Sequence, residues 1–171
     1  VSRIAKGKSI ANLLNLELGE SIASILSVRE FEEDKFVMVA TERGIVKKTS
    51  LMSYSKPRQG GVIGLTIDDG DRLIGAELCD GESDILLATE KGFSIRFSEK
   101  EARPIGRTGR GVKGIRLKTD DRVVGAEIVH PGNMLLTVTS NGYGKRTQLE
   151  EYPVQGRGGL GVMTIRCNEK I

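Results

Sequence analysis

The fold is indicated by a four-residue stretch, Thr41-Glu42-Arg43-Gly44, which recurs along the chain. Its copies are Thr89-Glu90-Lys91-Gly92 and Thr139-Ser140-Asn141-Gly142, at spacings of 48 and 50 residues. A second stretch repeats with the same period, as Asp71-Arg72-Leu73-Ile74-Gly75-Ala76-Glu77 and Asp121-Arg122-Val123-Val124-Gly125-Ala126-Glu127. A period of about 50 residues is typical of a protein built from stacked structural repeats.

Each repeat reads as a series of short strands. Continuous apolar runs precede the Thr-x-x-Gly stretches, at 36–40, 85–88 and 134–138. They are too short for a typical helix, so we predict central strands buried on both faces. Thr-x-x-Gly predicts a hairpin turn into a second strand, at 45–51, 93–97 and 143–149. A third strand is expected from the Gly-Val pairs at 61, 111 and 161, and a fourth after the acidic turn.

Four strands in about 50 residues match one blade of a propeller. We therefore predict an all-β fold, a propeller-like repeat of four-stranded antiparallel blades, as a single repeat domain over residues 1–171. The approximate units are 1–40 (partial), 41–88, 89–138 and 139–171 (partial). Closed propellers need about four to eight blades, so we expect an incomplete set from a larger ring or arc.

Composition narrows the class of protein. The 26 Lys and Arg exceed the 23 Asp and Glu by a net charge of only +3, so total charge alone indicates a nucleic-acid partner weakly. Cys79 and Cys167 are too few and too far apart for a disulfide framework or a zinc site. No stretch approaches the roughly 20 apolar residues of a membrane span. We expect a cytoplasmic protein without a membrane partner.

The basic residues follow the repeat. The strand after each turn carries one at a fixed position, and two units double it; the glycine-rich loop after that strand is also basic. Equivalent positions of stacked repeats share one face, so we predict a basic stripe that binds the phosphates of duplex DNA. The candidate DNA-binding residues are Lys6, Lys8, Lys47, Lys48, Arg58, Arg96, Arg107, Arg110, Lys113, Lys145, Arg146 and Arg157.

Other interpretations start from the same residues. Any single basic residue on an exposed strand is explained equally well as solvated surface. The competing class is a protein-interaction propeller, in which the acidic turns or the opposite face would bind the partner. No arrangement of acids, bases or nucleophiles indicates catalysis, and the single His130 offers no metal site. The scarcity of aromatic residues favours duplex DNA over single strands.

Several segments resemble the C-terminal domain of the A subunit of bacterial DNA gyrase: residues 3–16, 39–49 and 141–147, and Glu151-Tyr152-Pro153. The resemblance runs over essentially the whole chain. It implies a β-pinwheel of usually six blades, with strands exchanged between neighbouring blades and duplex DNA wrapped around a basic rim. It also implies a non-catalytic domain that supports negative supercoiling by the ATP-dependent enzyme.

The resemblance extends to partners and cofactors. It implies two kinds of partner in an A2B2 gyrase holoenzyme of the bacterial cytoplasm: the B subunit, and the rest of the A subunit. ATP and Mg²⁺ would be used elsewhere in that enzyme, with no cofactor in this chain. The chain by itself is expected to be a monomer.

One departure separates this chain from the family pattern. The family's Gln-Arg-Arg-Gly-Gly-x-Gly motif is absent, and Gln155-Gly156-Arg157-Gly158-Gly159-Leu160-Gly161 is a partial echo in another blade. By the family's order that motif would lie upstream of Val1, so we expect weaker DNA binding and incomplete wrapping from this chain alone. The sister family, the topoisomerase IV subunit, shares the blades with degraded motifs and remains the alternative.

Overall fold

A computed structural model describes residues 4–14, 16–58 and 60–167. The described residues contain ten strands, four short 3₁₀ turns and no α-helix. The strands are β1 (Phe36–Thr41), β2 (Ile45–Ser50), β3 (Leu73–Cys79), β4 (Asp84–Thr89), β5 (Phe93–Ser98), β6 (Val112–Lys113), β7 (Val123–Val129), β8 (Met134–Val138), β9 (Gly144–Gln148) and β10 (Val162–Met163). The 3₁₀ turns are Ile10–Leu13, Leu51–Tyr54, Glu99–Glu101 and Leu149–Glu151. Nowhere in these ranges is there a helix suited to crossing a bilayer.

The strands form two four-stranded sheets and one hairpin. The sheets have the orders β3-β1-β2-β6 and β7-β4-β5-β10, and β8 pairs with β9. All strand pairs are antiparallel. Because β6 and β10 lie beyond the following hairpin in the chain, each sheet takes its last strand from the next repeat. This confirms the predicted all-β blades and the strand exchange between them.

The sheets divide the chain at other points than the approximate units. β1 and β2 are hydrogen-bonded neighbours, whereas a boundary between residues 40 and 41 separates them. Each repeat contains one whole hairpin, so a boundary between repeats belongs before the first strand of the hairpin and not at its turn. The strand expected at Gly61-Val62 does not form either. β6 and β10 each pair with a preceding hairpin, and the described residues contain no hairpin before β1.

The core lies between the two four-stranded sheets. Its fully buried side chains include Val46 of the first sheet and Leu87, Ile95 and Phe97 of the second. β1 and β4 are largely buried, as predicted for central strands. The same prediction is wrong for β8, whose residues alternate between exposed and half-buried. β8 has β9 as its one neighbour among the described strands, and the described residues leave three of its five side chains uncovered.

The two repeated sequence motifs meet at the hairpin turns. In the first sheet the Thr41 hydroxyl accepts a hydrogen bond from the Ile45 amide (3.2 Å), and the Asp71 carboxylate accepts one from the Arg43 amide (2.9 Å). In the second sheet Thr89 and Asp121 accept the equivalent bonds. The Asp of each Asp-Arg stretch therefore satisfies a backbone N–H that the tight turn would leave unpaired.

Candidate nucleic-acid interface

The basic loops are residues 56–58, 103–113 and 155–161. The second loop ends with the edge strand β6, and the third loop directly precedes the edge strand β10. The second loop is fastened to residues 64–68, where the Thr66 hydroxyl donates to the Thr108 carbonyl at 2.6 Å. The third loop is fastened to residues 113–116 through Gly158 N–H to the Gly114 carbonyl (2.8 Å) and Arg116 N–H to the Gly159 carbonyl (2.7 Å). The third loop is thus joined to the end of the second loop, and the second loop to the segment that follows the first.

Five basic side chains of this region are exposed and take part in no salt bridge among the described residues. They are Lys56, Arg58, Arg103, Lys113 and Arg116. Only Arg58 and Lys113 were predicted as DNA-binding residues. For Arg116 the sequence carries a signal that could have identified it, because Arg166 repeats it 50 positions later and is also exposed.

The other three predicted loop residues are partly engaged by the protein. Arg110 is exposed but forms an ion pair with Asp68. Arg107 is half-buried, and its backbone carbonyl accepts a hydrogen bond from the Lys47 ammonium. The pKa of Lys47 is lowered mainly by burial and, to a smaller extent, by the positive charge of Arg107. Arg157 is half-buried, with its guanidinium on the Glu101 and Lys113 carbonyls. The charge available to a ligand is therefore concentrated on the five exposed side chains.

The prediction that Lys47 lies on an exposed basic stripe is wrong. Its side chain is 1% exposed, and its ammonium donates to the carbonyl oxygens of Gly64 (2.5 Å), Gly106 (3.2 Å) and Arg107 (2.5 Å). A buried ammonium requires such a set of acceptors, because an unpaired charge in the interior is strongly disfavoured. Lys47 therefore joins the second basic loop to Gly64, in the segment after the first loop.

The same prediction is wrong for Lys48 and holds only in part for Arg96. Lys48 is 4% exposed, and its ammonium lies 2.9 Å from the Glu99 carbonyl, 3.4 Å from the Glu99 carboxylate and 5.1 Å from the Phe36 ring centroid. Arg96 is half-buried, with its guanidinium on the Asp84 carboxylate and the Leu149 carbonyl, each at 2.8 Å. The positive charges of both residues are thus neutralised within the protein.

The remaining predicted residues are exposed but lie elsewhere. Lys145 and Arg146 are on β9, at the uncovered hairpin. Lys6 and Lys8 are in the segment before β1, which contains no strand in its described part. The structure therefore brings together residues of the second and third loops and does not form the complete predicted stripe.

The opposite edge of the two sheets carries acidic residues. Glu77 lies on β3 and Glu127 on β7, the edge strands farthest from β6 and β10. Burial raises the pKa of Glu77, and Glu127 raises it further, while His130 acts in the opposite direction. Glu77 and Glu127, one from each four-stranded sheet, thus interact at the edges opposite β6 and β10.

This edge predicts a pH dependence of stability. Because the pKa of Glu77 is raised on folding, the folded protein binds a proton more readily than the unfolded chain, and stability rises as pH falls toward the unfolded value. Replacing Glu77 with Gln should increase stability at pH 7 and flatten the dependence of the melting temperature on pH above about 4.5, the unperturbed value. Thermal unfolding of both proteins at several pH values measures this. Parallel pH profiles would contradict it.

The part of the chain that the structure describes contains no group of three or more His, Cys, Asp or Glu side chains placed to bind a metal ion. Two carboxylates of the acidic turn at residues 68–71 bind other groups of the protein. Asp68 pairs with Arg110, and Asp71 accepts from the turn amide of Arg43.

Comparison with known proteins gives consistent matches. The family model for the DNA gyrase C-terminal domain, beta-propeller, matches residues 1–29, 35–80, 83–130 and 133–170. The last three segments begin at residues 35, 83 and 133, one residue before β1, β4 and β8, which are the first strands of the three hairpins. The DNA gyrase A subunit of Salmonella typhimurium (strain LT2) is 47% identical over 111 residues, which are 65% of this chain and 13% of that protein. The chain thus matches about 13% of the length of its curated relatives.

Two solved structures share the fold. A DNA gyrase A C-terminal domain superposes with a TM-score of 0.86 at 26% identity, over 97% of this chain and 56% of the other. The C-terminal domain of a DNA topoisomerase IV gives a TM-score of 0.84 at 28% identity, over 92% and 49%. The fold alone therefore does not separate the two kinds of domain, whereas the family model and the curated relative name gyrase.

Proposed function

Because the chain belongs to the DNA gyrase C-terminal domain family, we propose that it binds duplex DNA through its basic loops and bends the duplex along them. The observation that carries this proposal is the hydrogen bonding of the third basic loop to the end of the second, with Arg103, Lys113 and Arg116 exposed in that region. Joined loops present positive charge at regular intervals, which suits the regular phosphates of a duplex.

The proposed binding is independent of base sequence. The loops offer guanidinium and ammonium groups and glycine backbone, which contact phosphates and position a duplex without reading its base edges. Bending 20–30 base pairs costs on the order of 1–6 kcal/mol, and repeated phosphate contacts along a curved edge offset that cost. Affinity is therefore expected to depend steeply on salt and weakly on sequence.

Within a larger enzyme, the bent duplex would serve negative supercoiling. By its family, we assign the chain to the DNA gyrase A subunit, whose remaining part would be a partner along with the B subunit in the bacterial cytoplasm. The ATP- and Mg²⁺-dependent chemistry is assigned to those other parts, and this chain to holding DNA. The topoisomerase IV alternative shares the fold, but the family model and the curated relatives favour gyrase.

A charge-matched pair of variants tests the interface. Replacing Arg103, Lys113 and Arg116 with Ala should lower the slope of log Kd against log salt by roughly 2 to 3, at about 0.9 for each phosphate contact that is removed. The control replaces Arg29, Arg43 and Lys91, which are also exposed but lie outside the basic loops. Its slope should stay near that of the unchanged protein. Fluorescence anisotropy with a duplex of about 40 base pairs at several salt concentrations measures both.

Equal losses of affinity in the two variants would show that net charge alone binds DNA, and no loss in the loop variant would refute the interface. Bending is tested separately. The unchanged protein should shift the linking number of a plasmid relaxed by a type I topoisomerase, and the loop variant should shift it less. A linking number unaffected by the unchanged protein, despite tight binding, would leave DNA binding but overturn bending.

A further inference from the structure

The repeated basic position on the second strand of each hairpin makes the same contact twice. The Lys48 ammonium reaches the Glu99 carbonyl at 2.9 Å, and the Arg96 guanidinium reaches the Leu149 carbonyl at 2.8 Å. Glu99 and Leu149 are each the first residue of the 3₁₀ turn that follows the next hairpin. Each basic side chain therefore crosses from one repeat to the equivalent carbonyl of the next.

Backbone hydrogen bonds also connect these two positions to the next repeat. The Lys48 carbonyl accepts from the Ile105 amide, and the Arg96 carbonyl accepts from the Gln155 amide, both at 2.8 Å. Parallel bridges join Lys48 to Pro104 and Arg96 to Val154. Ile105 lies near the start of the second basic loop, just before its Gly106–Gly109 turn, and Gln155 is the first residue of the third basic loop. The residue that carries the basic side chain thus also anchors the loop of the next repeat.

We propose that this position is an inter-repeat clamp, in which Lys48 and Arg96 set the place of the next repeat's basic loop and do not bind DNA. A long cationic side chain suits the role because it spans the gap between repeats and donates a charge-assisted hydrogen bond to the carbonyl that opens the next 3₁₀ turn, beside the N–H that this carbonyl already accepts within the turn. A second acceptor neutralises each charge: the Glu99 carboxylate for Lys48 and the Asp84 carboxylate for Arg96.

Arg146 occupies the same position on β9, which pairs with no strand of a further repeat among the described residues. Its side chain is exposed. The clamp thus accounts for the register of Lys48, Arg96 and Arg146 without requiring that any of them touch phosphate. It also gives an internal control, because Arg146 clamps no loop within the described part of this chain.

Replacement of Arg96 by Met is the principal test. We expect the melting temperature to fall by about 5 °C, since the variant lacks a charge-assisted hydrogen bond between repeats. Exchange of the Gln155 amide proton should accelerate by about tenfold or more, while the Ile105 amide at the other clamp keeps its rate. Lys48→Met should have the converse effect on these two amides, and Arg146→Met should change neither. Hydrogen exchange of the 171-residue chain resolves the two amides.

Asp84→Asn removes the ion pair but retains the Leu149 contact, so the Gln155 amide should remain protected; this variant separates clamping from charge pairing. If Lys48→Met does not fold, because Glu99 is left buried without its partner, Arg96→Met alone decides. Acceleration of both amides to the same extent in Arg96→Met, or of neither, would overturn the clamp.

DNA binding distinguishes this proposal from the proposed function. Below the melting temperature, Arg96→Met should leave the salt slope unchanged, whereas a phosphate contact at Arg96 would lower it by about 0.9. A lowered slope without faster exchange of the Gln155 amide would overturn the clamp and add Arg96 to the DNA interface. An unchanged slope in the loop variant described above would refute the DNA interface and leave the clamp intact.

Discussion

Replacing Gly92 with Ala is expected to lower the free energy of unfolding by about 3–5 kcal/mol, through backbone strain and overpacking together. Gly92 ends the second hairpin turn with φ of +79°, a conformation that side chains disfavour. A Cβ there would collide with the backbone carbonyl of Ile165 from the next repeat. Ile165 cannot withdraw freely, because the Gly92 carbonyl accepts from the amides of Thr164 (2.8 Å) and Ile165 (3.2 Å).

The matched control is Gly142, the same residue of the third turn. Its φ is +84°, yet no atom lies within 4 Å of a Cβ built on it. Gly142→Ala should therefore cost only about 1–2 kcal/mol, the strain of the left-handed conformation. Urea unfolding of both variants measures the difference, which isolates the contact between repeats. Equal losses of stability would show that backbone conformation alone makes these glycines necessary.

The hairpins were predictable because their signals are local. Thr41 and Gly44 lie within one turn, and the apolar runs beside them are contiguous, so sequence spacing alone indicates the strands. The strand exchange depends on pairing β2 with β6, whose residues are more than 60 positions apart. No local propensity specifies that pairing; it came from the family resemblance.

The basic positions show a different limit. A charge that recurs at one position of a repeat has two physical origins, a shared solvent face or a shared contact between neighbouring repeats, and both give the same periodicity. Lys48 and Arg96 belong to the second class, and Arg116 with Arg166 belongs to the first. The flanking residues carried a usable signal. Lys47 and Lys48 follow Ile45-Val46 in a strand that packs on both sides, whereas Lys113 lies among glycines.

The uncovered hairpin supplies the second large prediction, because the repeat places one residue type in two environments. Leu86 of β4 and Leu136 of β8 both stand three residues before the Thr of the turn. Leu86 is 1% exposed and packs with Val129, Leu149 and Tyr152, whereas Leu136 is 62% exposed. Leu86→Ala should cost about 2–5 kcal/mol through reduced burial and the cavity left behind. Leu136→Ala should change stability by less than about 0.5 kcal/mol.

Chemical unfolding of the two variants at several protein concentrations decides between two states of the β8 face. With the face open to solvent, the destabilisation in Leu86→Ala is independent of concentration and Leu136→Ala is neutral. A large and concentration-dependent destabilisation in Leu136→Ala would mean that another copy of the chain covers β8 in solution, since association stabilises by mass action. That result would contradict the exposed face, and with it the use of Arg146 as an unclamped control. The Leu136 measurement should therefore precede the clamp experiment.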